Sequence, residues 1–154
     1  MPDGQYVKFT QPEGGGGSGG PPACNGTPAT SPLATWANVK EVVNGSDVTG
    51  GGCYGLDCHT TNDRKPYLLA VGSSPLPDDE LYTLLTTFKT ETCAQRVLVK
   101  PCEPDQSAFY RSQAATCEDL DQMPFGCLPE NDNCTPNDKL EGIRQWIAAG
   151  AKRP

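Results

Sequence analysis

The segment Asn137-Asp138-Lys139-Leu140-Glu141-Gly142-Ile143-Arg144-Gln145-Trp146-Ile147-Ala148-Ala149 reads as one amphipathic helix. Leu140, Ile143, Trp146 and Ile147 fall on a single stripe at the helical period, and Gly150 stands where a C-terminal stop is expected. Working outward, Thr35-Trp36-Ala37-Asn38-Val39-Lys40-Glu41-Val42-Val43 repeats the pattern, with Trp36, Val39 and Val43 on one side, Thr35 as N-cap and Asn44-Gly45 as the stop. Between them lies a third strong periodic segment, Asp78 to Phe88, with acids in its first turn and Leu81, Leu84, Leu85 and Phe88 on one face. A shorter helix is expected over Gln106 to Gln113. Val97-Leu98-Val99 is the one β-branched run, and Pro101 follows it closely, so any sheet is minimal. The fold class read from these patterns is mostly α, a small helical domain with long cysteine-bearing loops.

The remaining composition fits that reading. The chain has 154 residues with 17 Gly and 15 Pro, too many turn-formers for one compact fold unless they are concentrated. They are concentrated at the N-terminus, where residues 1–32 hold eight Gly and six Pro, including the run Glu13 to Gly20. Residues 1–32 are accordingly read as a flexible arm and 33–154 as the folded domain. Nineteen acids against 12 bases give a net charge of −7, without the cationic surplus that nucleic acid or an anionic membrane requires. No apolar run is long enough to span a membrane. Met1 to Thr30 carries no secretory signal pattern, and Pro-Pro-Ala-Cys24 lacks the apolar run of a lipid-anchored cysteine. Export, periplasmic or extracellular, is therefore expected from the cysteines alone: eight, an even number, suit an oxidising compartment.

The single histidine directly follows a cysteine, in Cys53-Tyr54-Gly55-Leu56-Asp57-Cys58-His59. Cys-x-x-Cys-His is the attachment signature of haem c, in which two thioethers hold the vinyl groups and the imidazole binds iron. Here four residues separate the cysteines, and Gly55 eases the bulge that a longer spacer must make. The plainer reading is a Cys53 to Cys58 disulfide beside an incidental histidine. Met123, the one internal methionine, precedes Pro124 in a polar stretch where no amphipathic pattern requires it. Its thioether can serve as a sixth iron ligand, or it can fill the core from a loop.

At these residues the chain resembles c-type cytochromes, and more closely the cytochrome-c-like domain of planctomycete and myxobacterial exported proteins. The late half of that family runs Val-x-Pro-Gly-x-Pro-x-x-Ser, then Met-Pro, then Ile-x-x-Trp-Ile-x-x-Gly-Ala. This chain has Val99-Lys100-Pro101-Cys102-Glu103-Pro104-Asp105-Gln106-Ser107, Met123-Pro124, and Ile143-Arg144-Gln145-Trp146-Ile147-Ala148-Ala149-Gly150-Ala151, and the resemblance covers roughly residues 36–151. It implies haem c held by Cys53 and Cys58, His59 as proximal and Met123 as distal ligand, and an electron carrier rather than a catalyst, serving a redox partner protein. It also implies that Trp36, Val39 and Val43 pack on Ile143, Trp146 and Ile147. The spacer departs from the family, as does Cys102, which stands in place of Gly and implies an added disulfide.

With Cys53 and Cys58 assigned to haem, six cysteines remain. Cys93 to Cys102 is the expected bridge, closing a loop around Val97 to Val99, while two of Cys117, Cys127 and Cys134 brace the Met123 loop and Cys24 takes the third. The alternative function is a haem-free, disulfide-stabilised structural or binding domain of the same fold, a subunit of a larger exported assembly docked or spaced by the Gly-rich arm. Zinc is disfavoured by the Cys-x4-Cys spacing and the adjacent Cys-His pair. Hydrolysis lacks a nucleophile motif beside the one imidazole. The acids of Asp132 to Glu141 lack calcium-loop spacing. Asn25-Gly26-Thr27, Asn44-Gly45-Ser46 and Asn133-Cys134-Thr135 match the N-glycosylation tripeptide, a weak signal in a chain rich in Asn and Thr.

Overall fold

The computed structural model describes residues 24, 28–44, 75–119, 123 and 134–153. Four helices order them: α1 (Trp36–Asn44), α2 (Asp78–Thr87), α3 (Ala108–Gln113) and α4 (Asn137–Ala148). The described residues form no strand longer than a single bridge, so this is a small α domain with disulfides.

α1 begins as its sequence dictates, the Thr35 hydroxyl accepting the Asn38 N–H at 3.2 Å. α4 ends in a Schellman arrangement: Gly150 takes φ 98°, its N–H donates to Ile147 O at 3.0 Å, and the Ala151 N–H donates to Trp146 O at 2.9 Å. The two helices pack on each other, as the resemblance implies. Trp36, Val39, Val42 and Val43 on one side and Ile143, Trp146 and Ile147 on the other are buried, with the indole centroids 5.8 Å apart. Each such side chain contributes on the order of 1.5–3 kcal/mol, so this seam is the main apolar investment of the fold. Asn38, buried within it, donates to the Lys139 carbonyl at 3.0 Å and thereby pins the register of the pair.

α2 adds Leu81 and Leu85 to the same core and stops where the Phe88 N–H donates to Leu84 O. The β-branched run then acts as a hydrogen-bonding spine rather than a sheet. Lys89 and Val97 make one antiparallel bridge, and the Leu98 and Val99 amides donate to Phe88 O and Leu85 O. The carbonyls of Val97 and Leu98 in turn accept the Ala108 and Phe109 amides at 2.9 Å each, satisfying donors that the first turn of α3 leaves unpaired. α3 is shorter than the expected Gln106–Gln113. Pro104–Gln106 forms a 3-10 turn, and Ser107, extended at φ −99°, ψ 113°, separates it from the helix.

The disulfides differ from expectation. Cys93 does not bond Cys102; the bridges are Cys24–Cys102 and Cys93–Cys117, and Cys134 is also disulfide-bonded. Nearness in sequence misled because the spine carries the chain away from Cys93. Cys102 ends beside the last turn of α4, where its N–H donates to Ile147 O at 2.8 Å, while the chain leaving α3 returns Cys117 to Cys93. Cys24 is likewise not the partner of Cys117.

Attachment of the chain to the domain starts within the segment read as the arm. The amides of Thr30 and Ser31 both donate to Gln145 Oε1 at 2.8 Å, and Leu33 lies directly on Gly142. A Cβ at Gly142 would stand 2.6 Å from the Leu33 carbonyl oxygen and 2.7 Å from its Cβ, so this crossing requires glycine. Gly142→Ala should therefore lower stability by about 1–3 kcal/mol, the usual cost of forcing a methyl into a filled contact. Deleting residues 1–20, which leaves Cys24 and this strap in place, should leave the thermal midpoint unchanged. Equilibrium unfolding of both variants checks the pair, and an unchanged Gly142→Ala midpoint would contradict the contact.

Candidate functional site

Of the four residues assigned to a haem site, Cys53, Cys58 and His59 lie outside the described residues, and Met123 lies within them. Met123 is half-buried, and its N–H donates to Ser112 O at 2.9 Å, which ties it to the last turn of α3. The next residue of that turn, Gln113, is buried and accepts the Thr135 hydroxyl at 2.5 Å, while its Nε2 donates back to Phe109 O at 3.2 Å. Thr135 is itself buried, just before α4. Sequence reading marked Met123 by its isolation, yet no periodicity could single out Gln113 or Thr135, because their bond joins residues on two separate elements.

The family-like motifs have a clear structural basis. Lys100-Pro101-Cys102-Glu103 is a tight turn in which the Glu103 N–H donates to Lys100 O at 3.0 Å and Cys102 takes φ 72°. That left-handed conformation favours glycine, and Cys102 adopts it without one. Ser107 is fully buried, accepts the Lys100 N–H at 2.9 Å and donates to Glu103 O at 2.9 Å. Val99, Ile143, Trp146, Ile147 and Ala151 are core residues. Val99, Cys102, Ser107, Ile143, Trp146, Ile147 and Ala151 thus build scaffold. Neither indole is unpaired: Trp36 Nε1 donates to Asp78 Oδ2 at 3.3 Å and Trp146 Nε1 to Lys152 O at 2.6 Å.

Beside the α3 end sits an ionic cluster the sequence did not reveal. Cys93, Ala94 and Gln95 all have φ near 55°, a left-handed turn that costs about 1–2 kcal/mol per non-glycine residue. Several bonds offset it. Cys93 is bridged to Cys117, its N–H donates to Asp119 Oδ1, and Arg96 Nη1 donates to its carbonyl at 2.8 Å. Arg96 also grips Glu118 with both terminal nitrogens, at 2.9 and 3.1 Å, and Arg111 reaches the same carboxylate at 3.0 Å. The Arg96 hydrogen bonds hold the Glu118 carboxyl below its ordinary value, with Arg111 adding to the effect. Among the described residues no three His, Cys, Asp or Glu side chains converge as a metal site.

Elsewhere, Lys40 and then Trp36 lower Asp78, and on α4 the Arg144 fork, followed by Gln145, draws Glu141 down to about 2. A carboxyl depressed in the folded state contributes stability that is complete above its ordinary value of 4.5 and is lost as pH falls toward about 2. Both partners are well exposed, so Glu141→Gln should cost less than about 1 kcal/mol at neutral pH. The difference from the parent chain should shrink as pH falls from 4.5 and vanish below about 2, measured by urea midpoints across the acid range.

No protein-family model, curated protein or solved structure matches this chain.

Proposed function

We propose that this chain is an exported monohaem c-type cytochrome domain that carries single electrons to or from a redox partner protein. The observation that carries the reading is how the cysteines sort. Cys24, Cys93, Cys102 and Cys117 bond among themselves, and Cys134 is disulfide-bonded. Cys53, Cys58 and Cys127 are the cysteines outside the described residues, and the reading takes Cys127 as the partner of Cys134, which leaves Cys53 and Cys58, directly before His59, for thioether attachment. Persistent disulfides belong to oxidising compartments, which supports export.

The donor set suits haem: two thiols to anchor it, one imidazole and one thioether to ligate iron. Bound there, haem c supplies a one-electron ferric/ferrous couple. The chain's own contribution is positional. In sequence Cys53, Cys58 and His59 come after α1, which is locked to α4, and Met123 is tied to α3, which packs on α4 as well. The thioether, softer than a second imidazole, favours the ferrous state.

A second reading is a haem-free structural or binding domain of the same fold, a subunit of a larger exported assembly reached through the Gly-rich arm. It is favoured by one observation, that most motif residues shared with the resembling family serve the scaffold, so the fold can persist without the cofactor.

Protein made with a competent haem-attachment system should show an intact mass raised by one porphyrin, and the sharp green band of reduced haem c. Met123→Ala should keep that mass and lower the reduction potential by on the order of 0.1 V, within the range that axial ligands command. Unmodified mass would remove the cytochrome reading and leave the structural one. Peptide mapping of the native chain should in addition recover Cys127 linked to Cys134; Cys53 or Cys58 found joined to Cys134 would break the assignment.

A further inference from the structure

We propose that the Cys93–Cys117 bridge is a redox-sensitive latch that seats Glu118 as an internal plug on Arg96 and Arg111, and that opening the bridge turns this arginine pair into a site for inorganic phosphate. The device runs from Cys93 to Asp119, within the described residues, and does not depend on haem. Arg96 donates to the two Glu118 oxygens from Nη1 at 2.9 Å and Nη2 at 3.1 Å, and Arg111 Nη2 reaches Oε1 at 3.0 Å. The arginine side chains are 17% and 19% exposed, the glutamate 53%. Two largely buried cations therefore converge on one surface carboxylate. Their other acceptors are neutral: Gln106 Oε1 and the Cys93 carbonyl for Arg96, the Asp105 and Thr116 carbonyls for Arg111. Arg111 Nε is buried with no partner among the described residues. One carboxylate leaves charge and donor capacity unmatched, and guanidinium forks match the oxygens of phosphate as well as those of a carboxylate.

The plug sits on a segment that the bridge holds against the opposite turn. Glu118 directly follows Cys117, and Asp119 Oδ1 accepts the Cys93 N–H. Cys93, Ala94 and Gln95 have φ of 53°, 55° and 55°, and Ala115 has 52°. Non-glycine residues in the left-handed region persist only where the surrounding contacts over-determine them. Without the bridge, Glu118 and Asp119 are held to the turn by side-chain bonds; both residues are exposed, and exposed ion pairs hold weakly. The turn then relaxes and the plug leaves. The arginines stay, Arg96 on Gln106 and Arg111 within α3 and on Asp105 O, and guanidiniums so buried require another anion. The reductant is a dithiol: its thiolate attacks the half-buried Cys117 sulfur, the S–S bond breaks, and Cys93 leaves as a thiolate that takes up a proton. The second thiol, losing its proton, displaces Cys117 and closes the reductant's own disulfide, so two electrons and two protons pass to the protein. In an oxidising compartment the bridge is closed and the plug seated.

Three full-length variants are compared with the oxidised parent: Cys93→Ala/Cys117→Ala, Glu118→Gln with the bridge intact, and Glu118→Gln/Arg111→Met. Indole fluorescence reports the α1–α4 seam, hydrogen exchange reports the residue-93 amide, and thermal midpoints in inorganic phosphate against chloride at equal ionic strength report binding. The oxidised parent should show no phosphate-specific shift. Cys93→Ala/Cys117→Ala should keep parent-like indole emission and gain a phosphate-specific rise in midpoint. Its residue-93 amide should exchange about tenfold faster, the effect of one lost hydrogen bond. Glu118→Gln should gain the same rise with the bridge closed, and Glu118→Gln/Arg111→Met should lose it. Parent chain opened with graded dithiothreitol, its thiols alkylated and mapped, should gain the response in step with the opening of Cys93–Cys117. Absence of a phosphate shift in Glu118→Gln would overturn the site. Unfolding of Cys93→Ala/Cys117→Ala, or a folded form without the shift, would overturn the latch, and an equal shift in the oxidised parent would overturn the plug.

Discussion

Burial of two tryptophans in one seam between short helices is the constraint on which the rest of this structure depends. Helices of the length of α1 and α4 are marginal alone in water, so their persistence requires the packing of Trp36, Val39 and Val43 against Ile143, Trp146 and Ile147. An indole carries an N–H that must be satisfied as its ring is buried. Trp36 finds Asp78 and so recruits the first turn of α2; Trp146 finds the Lys152 carbonyl and so folds the C-terminal tail back. Tyr82 then meets Trp36 edge-on at 5.7 Å, and Arg153 lies over the Tyr82 ring while pairing with Asp79. One apolar seam thus dictates where α2 and the Lys152–Arg153 segment are placed.

The loops are held by a different economy, in which backbone groups are matched segment to segment. Val97 to Val99 receives amides from one side and gives carbonyls to the other, linking α2 to α3 without forming a sheet. Ser107 closes the Lys100–Glu103 turn from within the core. At Cys93 to Gln95 and at Cys102 the chain adopts left-handed conformations without glycine and a disulfide stands at the same place, whereas Ala115 and Ala151 take such conformations without one.

The two functional readings divide along the same line. Val99, Ser107, Ile143, Trp146, Ile147 and Ala151 are buried in the scaffold, so these positions speak for packing more than for a cofactor. The cofactor argument rests on Cys53, Cys58 and His59, which lie outside the described residues, and on Met123, whose amide is anchored to α3.

Periodicity is local information, and it was sufficient for the existence of the four helices, the Thr35 cap, the Gly150 stop and the buried Ile143, Trp146 and Ile147, though not for the start of α3. The resemblance added which two stripes meet. Residue spacing did not determine which cysteines bond, because proximity in space depends on the direction of each intervening turn; the spine at Val97 to Val99 separates Cys93 from Cys102 and brings Cys117 back instead. The left-handed turn at Cys93, the Arg96–Glu118–Arg111 cluster and the Gln113–Thr135 bond were equally illegible. Each joins side chains whose meeting requires the α1–α4 seam and α3 to be in place first, and only tertiary structure supplies that order.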